Sequence, residues 1–273
     1  MKPIIKWVGG KRQLLNEIIK RVPQEYNCYY EPFIGGAAVL LFLEPENAVI
    51  NDYNKELTNL YKVIKRSPKK LIELLEIHKT NNSSDYFYKL RNLDRTDEYK
   101  KLSATERAAR LIYLNKVCFN GLYRVNSKGE FNSPYGKYVN PSIYSTEDIM
   151  SFHDYLKKNN ITILTGDFEE AVKDAKEDDF IYFDPPYAPL SATSSFTSYS
   201  DVGFSAQDQC RLKNTCDELN KKGVKFLLSN SNCEFITDLY KDYIIEFVDA
   251  KRSINSDAEG RGKIKEVLVR NYE

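Results

Sequence analysis

Apolar and polar positions change period twice along the chain. Near the N-terminus a short β-rich run, Cys28 to Phe33, leads into Ile34-Gly35-Gly36, and a small-residue apolar run from Ala37 predicts a helix. Ala48 to Asp52 predicts a second strand. Apolar positions at Leu57, Leu60, Tyr61 and Ile64 then place a helix over Asn54 to Lys65. Strand, helix, strand in this order opens a parallel, doubly wound sheet. From about Tyr61 the chain becomes polar, Tyr-rich and mostly helical. Ser103-x-x-Glu106 and Ser145-x-x-Asp148 mark helix starts. Between them Phe119 to Pro141 carries Asn, Gly, Ser and Pro without helical period, as a long ordered loop or hairpin does. Strands resume at Ile161 to Leu164, Phe180 to Phe183 and Val224 to Leu228, with a helix from Ser205 to Lys222 stopped by Gly223. Two alternating segments, Tyr243 to Val248 and Glu266 to Val269, predict an edge hairpin.

The expected architecture is an α/β domain (residues 1–60 and 159–273) interrupted by a mostly helical insert, 61–158. A length of 273 residues with 42% hydrophobic residues supports a real core. Lys and Arg number 40 against 39 Asp and Glu, so the net charge of +1 neither announces a polyanion nor excludes a local basic face. The five cysteines are scattered and lack a CxxC pair, and there are two histidines, so neither a disulfide framework nor a metal is expected. No apolar stretch reaches the length of a membrane span, and the N-terminus does not read as a signal peptide. A cytoplasmic protein without a membrane or obligate protein partner is expected.

Candidate chemistry concentrates at strand ends. Asp184-Pro185-Pro186-Tyr187 follows the apolar strand FIYF. Paired prolines block both helix and ladder, so a plain strand-ending turn is one reading. Open α/β sheets, however, bind ligands beyond the carboxyl ends of their strands. A carboxylate (Asp184) and a fixed carbonyl (Pro185) suit the two hydrogens of an aromatic amine, while the Tyr187 ring offers a stacking face. Glu31-Pro32-Phe33-Ile34-Gly35-Gly36 ends the first strand. No Gly-Lys-Ser/Thr follows and the spacing is not GxGxxG, which favours a phosphate-free nucleoside such as S-adenosylmethionine. Asp52 ends the second strand, where an acidic side chain binds ribose hydroxyls or caps the next helix with Asn54. Trp7, the only tryptophan, lies in Lys6-Trp7-Val8-Gly9-Gly10-Lys11 ahead of an amphipathic helix, either as core or against a ligand, with Lys11 near a carboxylate.

Together KWVGGK, EPFIGG, VINDYN, a long insert and FDPPY resemble the alpha group of DNA adenine-N6 methyltransferases, and within it the Dam-like enzymes acting on GATC. The resemblance covers nearly the whole chain. It extends through Asn120-Gly121-Leu122-x-Arg124-x-Asn126-x-x-Gly129-x-Phe131-Asn132-x-Pro134-Tyr135-Gly136-Lys137, then Ala188-Pro189-Leu190-Ser191 and Lys251-Arg252-Ser253-Ile254. It implies a Rossmann-like methyltransferase domain with an inserted target-recognition domain. It also implies double-stranded DNA as partner and S-adenosylmethionine as cofactor. By the same resemblance Trp7, Lys11, Asp52 and Asp184 bind that cofactor, with Asp167-Phe168 at its adenine; Phe33 and Gly35 of the glycine turn are further candidates for it. The positions matching Phe119, Asn120, Leu122 and Arg124 enter or face the DNA, and Asn126 and Lys137 in the same segment are further DNA-binding candidates. The family aromatic at position 119 is usually Tyr; here it is Phe, which keeps the ring of a wedge and lacks the hydroxyl.

An adenine inside a duplex must be flipped out to reach such a pocket. Phe119 and Leu122 are candidate wedges, Arg124 a reader of a guanine edge, and Lys128 and Lys137 phosphate contacts. Ser191 to Ser200 reads as a lid or a passive loop, and Lys251, Arg252, Arg261 and Lys263 as a further backbone contact or a solvated face. Two other readings stand beside this one. One is an RNA or protein-amide methyltransferase with a related acceptor turn, and the other a DNA-recognition protein without turnover.

Overall fold

The structure is a computed structural model that describes residues 1–7, 9, 11, 14–189, 204–251 and 263–273, with only the backbone at 250–251 and 263–264. The predicted lid at Ser191 to Ser200, Arg252, Arg261 and the side chains of Lys251 and Lys263 lie outside the described residues. In chain order the elements are α1 (Leu15–Ile19), β1 (Tyr29–Glu31), α2 (Leu40–Leu43), β2 (Asn47–Ile50), α3 (Lys55–Arg66), α4 (Pro68–Thr80), α5 (Ser84–Asn92), α6 (Glu98–Lys101) and α7 (Ala104–Val117). They continue with α8 (Thr146–Lys158), β3 (Asn160–Ile163), α9 (Phe168–Val172), β4 (Phe180–Phe183), α10 (Ala206–Lys221), β5 (Lys225–Ser231), α11 (Glu234–Leu239), β6 (Ile244–Lys251) and β7 (Lys263–Arg270).

Packing divides the chain into two compact units. One comprises Lys11–Ile34, Asn47–Asn51 and Asp167–Glu273. Its strands follow the order β2-β1-β4-β5-β7-β6. Neighbours β2, β1, β4 and β5 run parallel, while β7 is antiparallel to β5 and to β6. This is a Rossmann-like α/β sheet closed by the expected hairpin. All four residues of β4 are fully buried, as expected of a central parallel strand covered on both faces. Around it Ile181, Phe183, Leu212, Phe226, Leu228, Ile236 and Val267 form the core.

The other unit comprises Met1–Gly10, Gly35–Glu46 and Asp52–Gly166. Helix α7 is buried on nearly every face from Ala108 to Asn115, the mark of a central helix, and packs against α3, α4 and α5. Ser103 and Glu106 close the expected capping box at its start. Ser145 likewise caps α8 by accepting from the Asp148 amide.

One boundary differs from expectation. The helix predicted from Ala37 begins only at Leu40, because the turn continues through the left-handed conformations of Gly35 (φ 47°) and Ala37 (φ 60°). An L-residue in that region cannot propagate a right-handed helix. Among the described residues no helix is long and apolar enough to cross a membrane.

Candidate functional site

In the sheet unit, β4 delivers Asp184 directly beyond its last ladder residue, and Pro185 and Pro186 carry no N–H that could extend pairing. The Asp184 side chain is 18% exposed and lies 2.8 Å from the Lys11 ammonium, itself 9% exposed. Ser229 donates to the same carboxylate oxygen, Oδ1, at 3.0 Å. Burial pushes the Asp184 carboxyl above the ordinary aspartate range, and the Lys11 charge and the Ser229 hydroxyl pull back against it. The Lys11 ammonium also stands 4.2 Å from the centroid of the Tyr187 ring. One ring face is therefore taken by a cation in this arrangement, a contact that reading the ring as a stacking surface did not include. The Tyr187 hydroxyl donates to Glu266 Oε2 at 2.7 Å, which pins the ring.

The turn is held by buried polar groups that the sequence reading missed. Asn230 Oδ1 accepts from the Ala188 amide at 3.0 Å and from the Ser231 amide at 2.8 Å. Asn230 Nδ2 donates to Gln209 Oε1 at 3.1 Å, and Gln209 Nε2 donates to the Pro186 carbonyl at 2.9 Å. The Ser231 hydroxyl donates to the Ala188 carbonyl at 2.6 Å. The available signal was Ser229-Asn230-Ser231, three consecutive polar residues that follow the apolar Phe226-Leu227-Leu228 in the same strand, all of them buried.

Phe33 sits with Phe168 and Phe204 in an aromatic cluster with centroid distances of 5.5 to 5.6 Å. Asp167 caps α9 by accepting from the Glu169 amide at 2.9 Å. Its two oxygens also receive the Arg211 guanidinium at 3.1 Å each, while Arg211 lies 5.1 Å from the Phe168 ring centroid. Arg211 was not singled out from the sequence.

In the helical unit, Trp7, Gly35 and Asp52 come together. A Cβ on Gly35 would stand 3.1 Å from Trp7 Cδ1, and one on Gly36 3.3 Å from Trp7 Cβ, so the indole lies directly on the glycine turn. Asp52 Oδ2 accepts from the Gly35 amide at 3.1 Å and Oδ1 from the Asn54 amide at 2.9 Å. The cap of α3 is Asn54, whose side chain accepts from the Glu56 and Leu57 amides. Asp52 thus ties the glycine turn to the helix start rather than capping the helix itself. Burial raises its carboxyl above the ordinary range, opposed by the two amides.

The Phe119–Pro141 segment is an ordered loop with isolated bridges Cys118↔Tyr135 and Val125↔Phe131. Asp94 and Arg95 brace it, through the Phe131 amide at 2.8 Å and carbonyl at 2.9 Å respectively. A Cβ on Gly136 would fall 2.4 Å from the Tyr138 ring and 2.7 Å from the Val117 carbonyl, so only glycine fits there. At the surface stand Phe119 (55% exposed), Asn120, Arg124, Lys128 and Lys137, with Leu122 half-buried. Arg124 is exposed, and its Nε donates to Asn132 Oδ1 at 2.8 Å. Asn126 accepts from the Lys128 and Glu130 amides at 3.0 Å each and donates to Glu130 at 2.7 Å, so its side chain shapes the turn.

The Rossmann-like sheet ends in a braced Asp-Pro-Pro-Tyr turn that offers a carboxylate and a carbonyl, the kind of acceptor pair an amine can use, and the helical unit carries an ordered loop. Comparison with known proteins narrows this. The D12 class N6 adenine-specific DNA methyltransferase family matches residues 7–254. The chain is 51% identical over 272 residues to type II methyltransferase M1.LlaDCHI of Lactococcus lactis subsp. cremoris, covering 100% of this chain and 96% of that protein. It is 42% identical to type II methyltransferase M.MjaIII of Methanocaldococcus jannaschii, covering 100% and 99% of the two chains. It is 35% identical to the DNA adenine methylase of Haemophilus influenzae, covering 98% and 93%. The chain belongs to the D12 class of N6 adenine-specific DNA methyltransferases.

Proposed function

We propose that this enzyme methylates the exocyclic N6 of a flipped-out adenine within GATC in double-stranded DNA, in the cytoplasm, with S-adenosylmethionine as donor. The observation that carries the reading is the Asp184 turn: a partly buried carboxylate held on one oxygen by Lys11 and Ser229, beside a carbonyl fixed by proline. Asp184 and the Pro185 carbonyl accept the two amine hydrogens, which draws the nitrogen lone pair out of conjugation with the ring. Burial has raised the proton affinity of Asp184, so it is also the acceptor for the proton the amine sheds. S-adenosylmethionine supplies the methyl group when bound. The residues fit such a group. The glycine turn at Gly35 offers no phosphate cradle, Asp52 suits a ribose diol, and Phe33, Phe168 and Asp167 suit an adenine face and edge.

The recognition segment within 61–158 reads the duplex. Phe119 and Leu122 wedge into the stack, Asn120 follows them, and Arg124 presents its guanidinium to a guanine edge. Lys128 and Lys137 meet phosphates, and Asn126 acts through the turn that displays Lys128. Sequencing DNA from a methylation-free host expressing the protein should reveal N6-methyladenine at GATC. Unmodified DNA alongside methylated RNA or protein amides would overturn the reading.

A further inference from the structure

Asn115 lies on α7 and is fully buried. Its Oδ1 accepts from the Lys6 amide at 2.9 Å, and its Nδ2 donates to the Lys6 carbonyl at 2.7 Å and to the Gly121 carbonyl at 3.2 Å. One side chain thus clamps two backbone segments far apart in sequence, the strip leading into Trp7 and the loop between Phe119 and Leu122. One residue past Lys6 and two past Gly121, the chain touches again. The Trp7 ring stacks on Tyr123 at 4.7 Å between centroids and 26° between planes, and Tyr123 packs edge-on against Phe131 at 5.6 Å. The glycine turn bearing the Asp52 hydrogen bond lies against Trp7. A buried amide is costly unless satisfied, and an apolar residue at position 115 would fill a helix core at less risk. What the amide adds is fixed register between the two segments.

We infer that Asn115 and Tyr123 are positioning residues that make the Trp7 segment and the recognition loop one mechanical piece, so that cofactor bound at Trp7 and duplex bound at the loop strengthen each other. The inference rests on the proposed roles of Trp7 and of the loop. Reciprocity requires that each ligand raise the affinity for the other by the same factor. Such couplings are commonly about 5- to 150-fold.

The experiment measures the dissociation constant of a labelled duplex carrying one GATC site, with and without saturating S-adenosylhomocysteine, which binds without transferring a methyl group. The wild-type protein should bind the duplex at least about fivefold tighter with the nucleoside present. Asn115→Ala should bring that ratio close to one, and emission from Trp7, the only tryptophan, should shift to the red as the stack loosens. A folded Asn115→Ala protein that keeps the wild-type ratio overturns the inference. Should Asn115→Ala fail to fold, Tyr123→Leu takes its place, removing the stack while leaving the Asn115 clamp; a collapsed ratio supports the inference and a retained ratio overturns it. A wild-type protein that binds both ligands without linkage overturns the inference alone. One that binds neither overturns the proposed function and the inference with it.

Discussion

Replacing Asn230 with Ala tests whether the buried network beneath the acceptor turn serves the reaction or only the fold. Asn230 is fully buried, and its loss strands the amides of Ala188 and Ser231 together with the Gln209 oxygen. A buried polar group left unsatisfied costs about 1–3 kcal/mol, so the two amides alone set a range of about 2–6 kcal/mol. Water entering the vacated space offsets part of this, and about 3 kcal/mol is the expected loss. Domains of this kind unfold at about 5–15 kcal/mol, so the variant stays folded at room temperature. The rate should suffer more than the fold. The Ala188 end of the segment from Asp184 to Ala188 loses its Asn230 anchor, and Gln209, which holds the Pro186 carbonyl, loses the partner that orients it. A displacement near 1 Å costs about a hundredfold in rate. Urea unfolding reads the first quantity and single-turnover tritium transfer to an unmethylated duplex the second. A variant that loses about 3 kcal/mol yet transfers methyl groups at the wild-type rate would show that the network supports the fold without positioning the acceptor.

Four other outcomes are expected. Asp184→Ala should lower turnover about a hundredfold or more while circular dichroism remains unchanged; near-normal turnover would end the proposed mechanism. Asp52→Ala should weaken cofactor binding by roughly 1.5–3 kcal/mol, measured by calorimetry, because a charged hydrogen-bond acceptor is lost. Transfer requires Asp184 ionised, and burial raises its carboxyl, so activity should fall on the acid side at a higher pH than an ordinary aspartate would give; Ser229→Ala, which removes a hydrogen bond to the charged form, should move that limb further up in a pH–rate profile. Arg124→Ala should relax discrimination at one guanine by about 1–3 kcal/mol, whereas Lys137→Ala should weaken all sequences alike and flatten the salt dependence; a methylation profile over single-base variants of GATC separates the two.

What the sequence made legible were features whose cause is local. The FIYF strand, the Ser103 capping box and the α10 start at Ser205 depend on neighbours within four residues, and all stand where their pattern places them. Asp184-Pro185-Pro186-Tyr187 was legible because prolines act on their own backbone. What stayed hidden were side chains whose meaning comes from distant partners. Gln209 reaches Pro186 across 23 positions, Asn230 reaches Ala188 across 42, and Asn115 reaches Lys6 across 109. No periodicity encodes such pairs. The helix expected from Ala37 failed for a related reason: propensity favours a helix there, but Asp52 and Tyr61 hold Gly35 from outside the segment and keep the turn open.

These hidden residues share a property that bears on how the chemistry is built. An amine acceptor must present a charge that is dry enough to act and yet remain ionised, and burial opposes the second requirement. Here the charge of Lys11 and the hydroxyl of Ser229 fall on one oxygen of Asp184, and the polar end of β5 fixes the turn that carries it. A strand end made wholly of apolar residues would pack as well and hold the turn by shape alone, leaving the buried carboxylate to take up a proton. Within the polar run, Ser229 therefore answers an electrostatic need that the acidic residue itself creates, while Asn230 and Ser231 hold the turn through Ala188. For the same reason the run is best found by asking what a buried Asp184 requires of its surroundings, and not by scanning the strand for its own pattern.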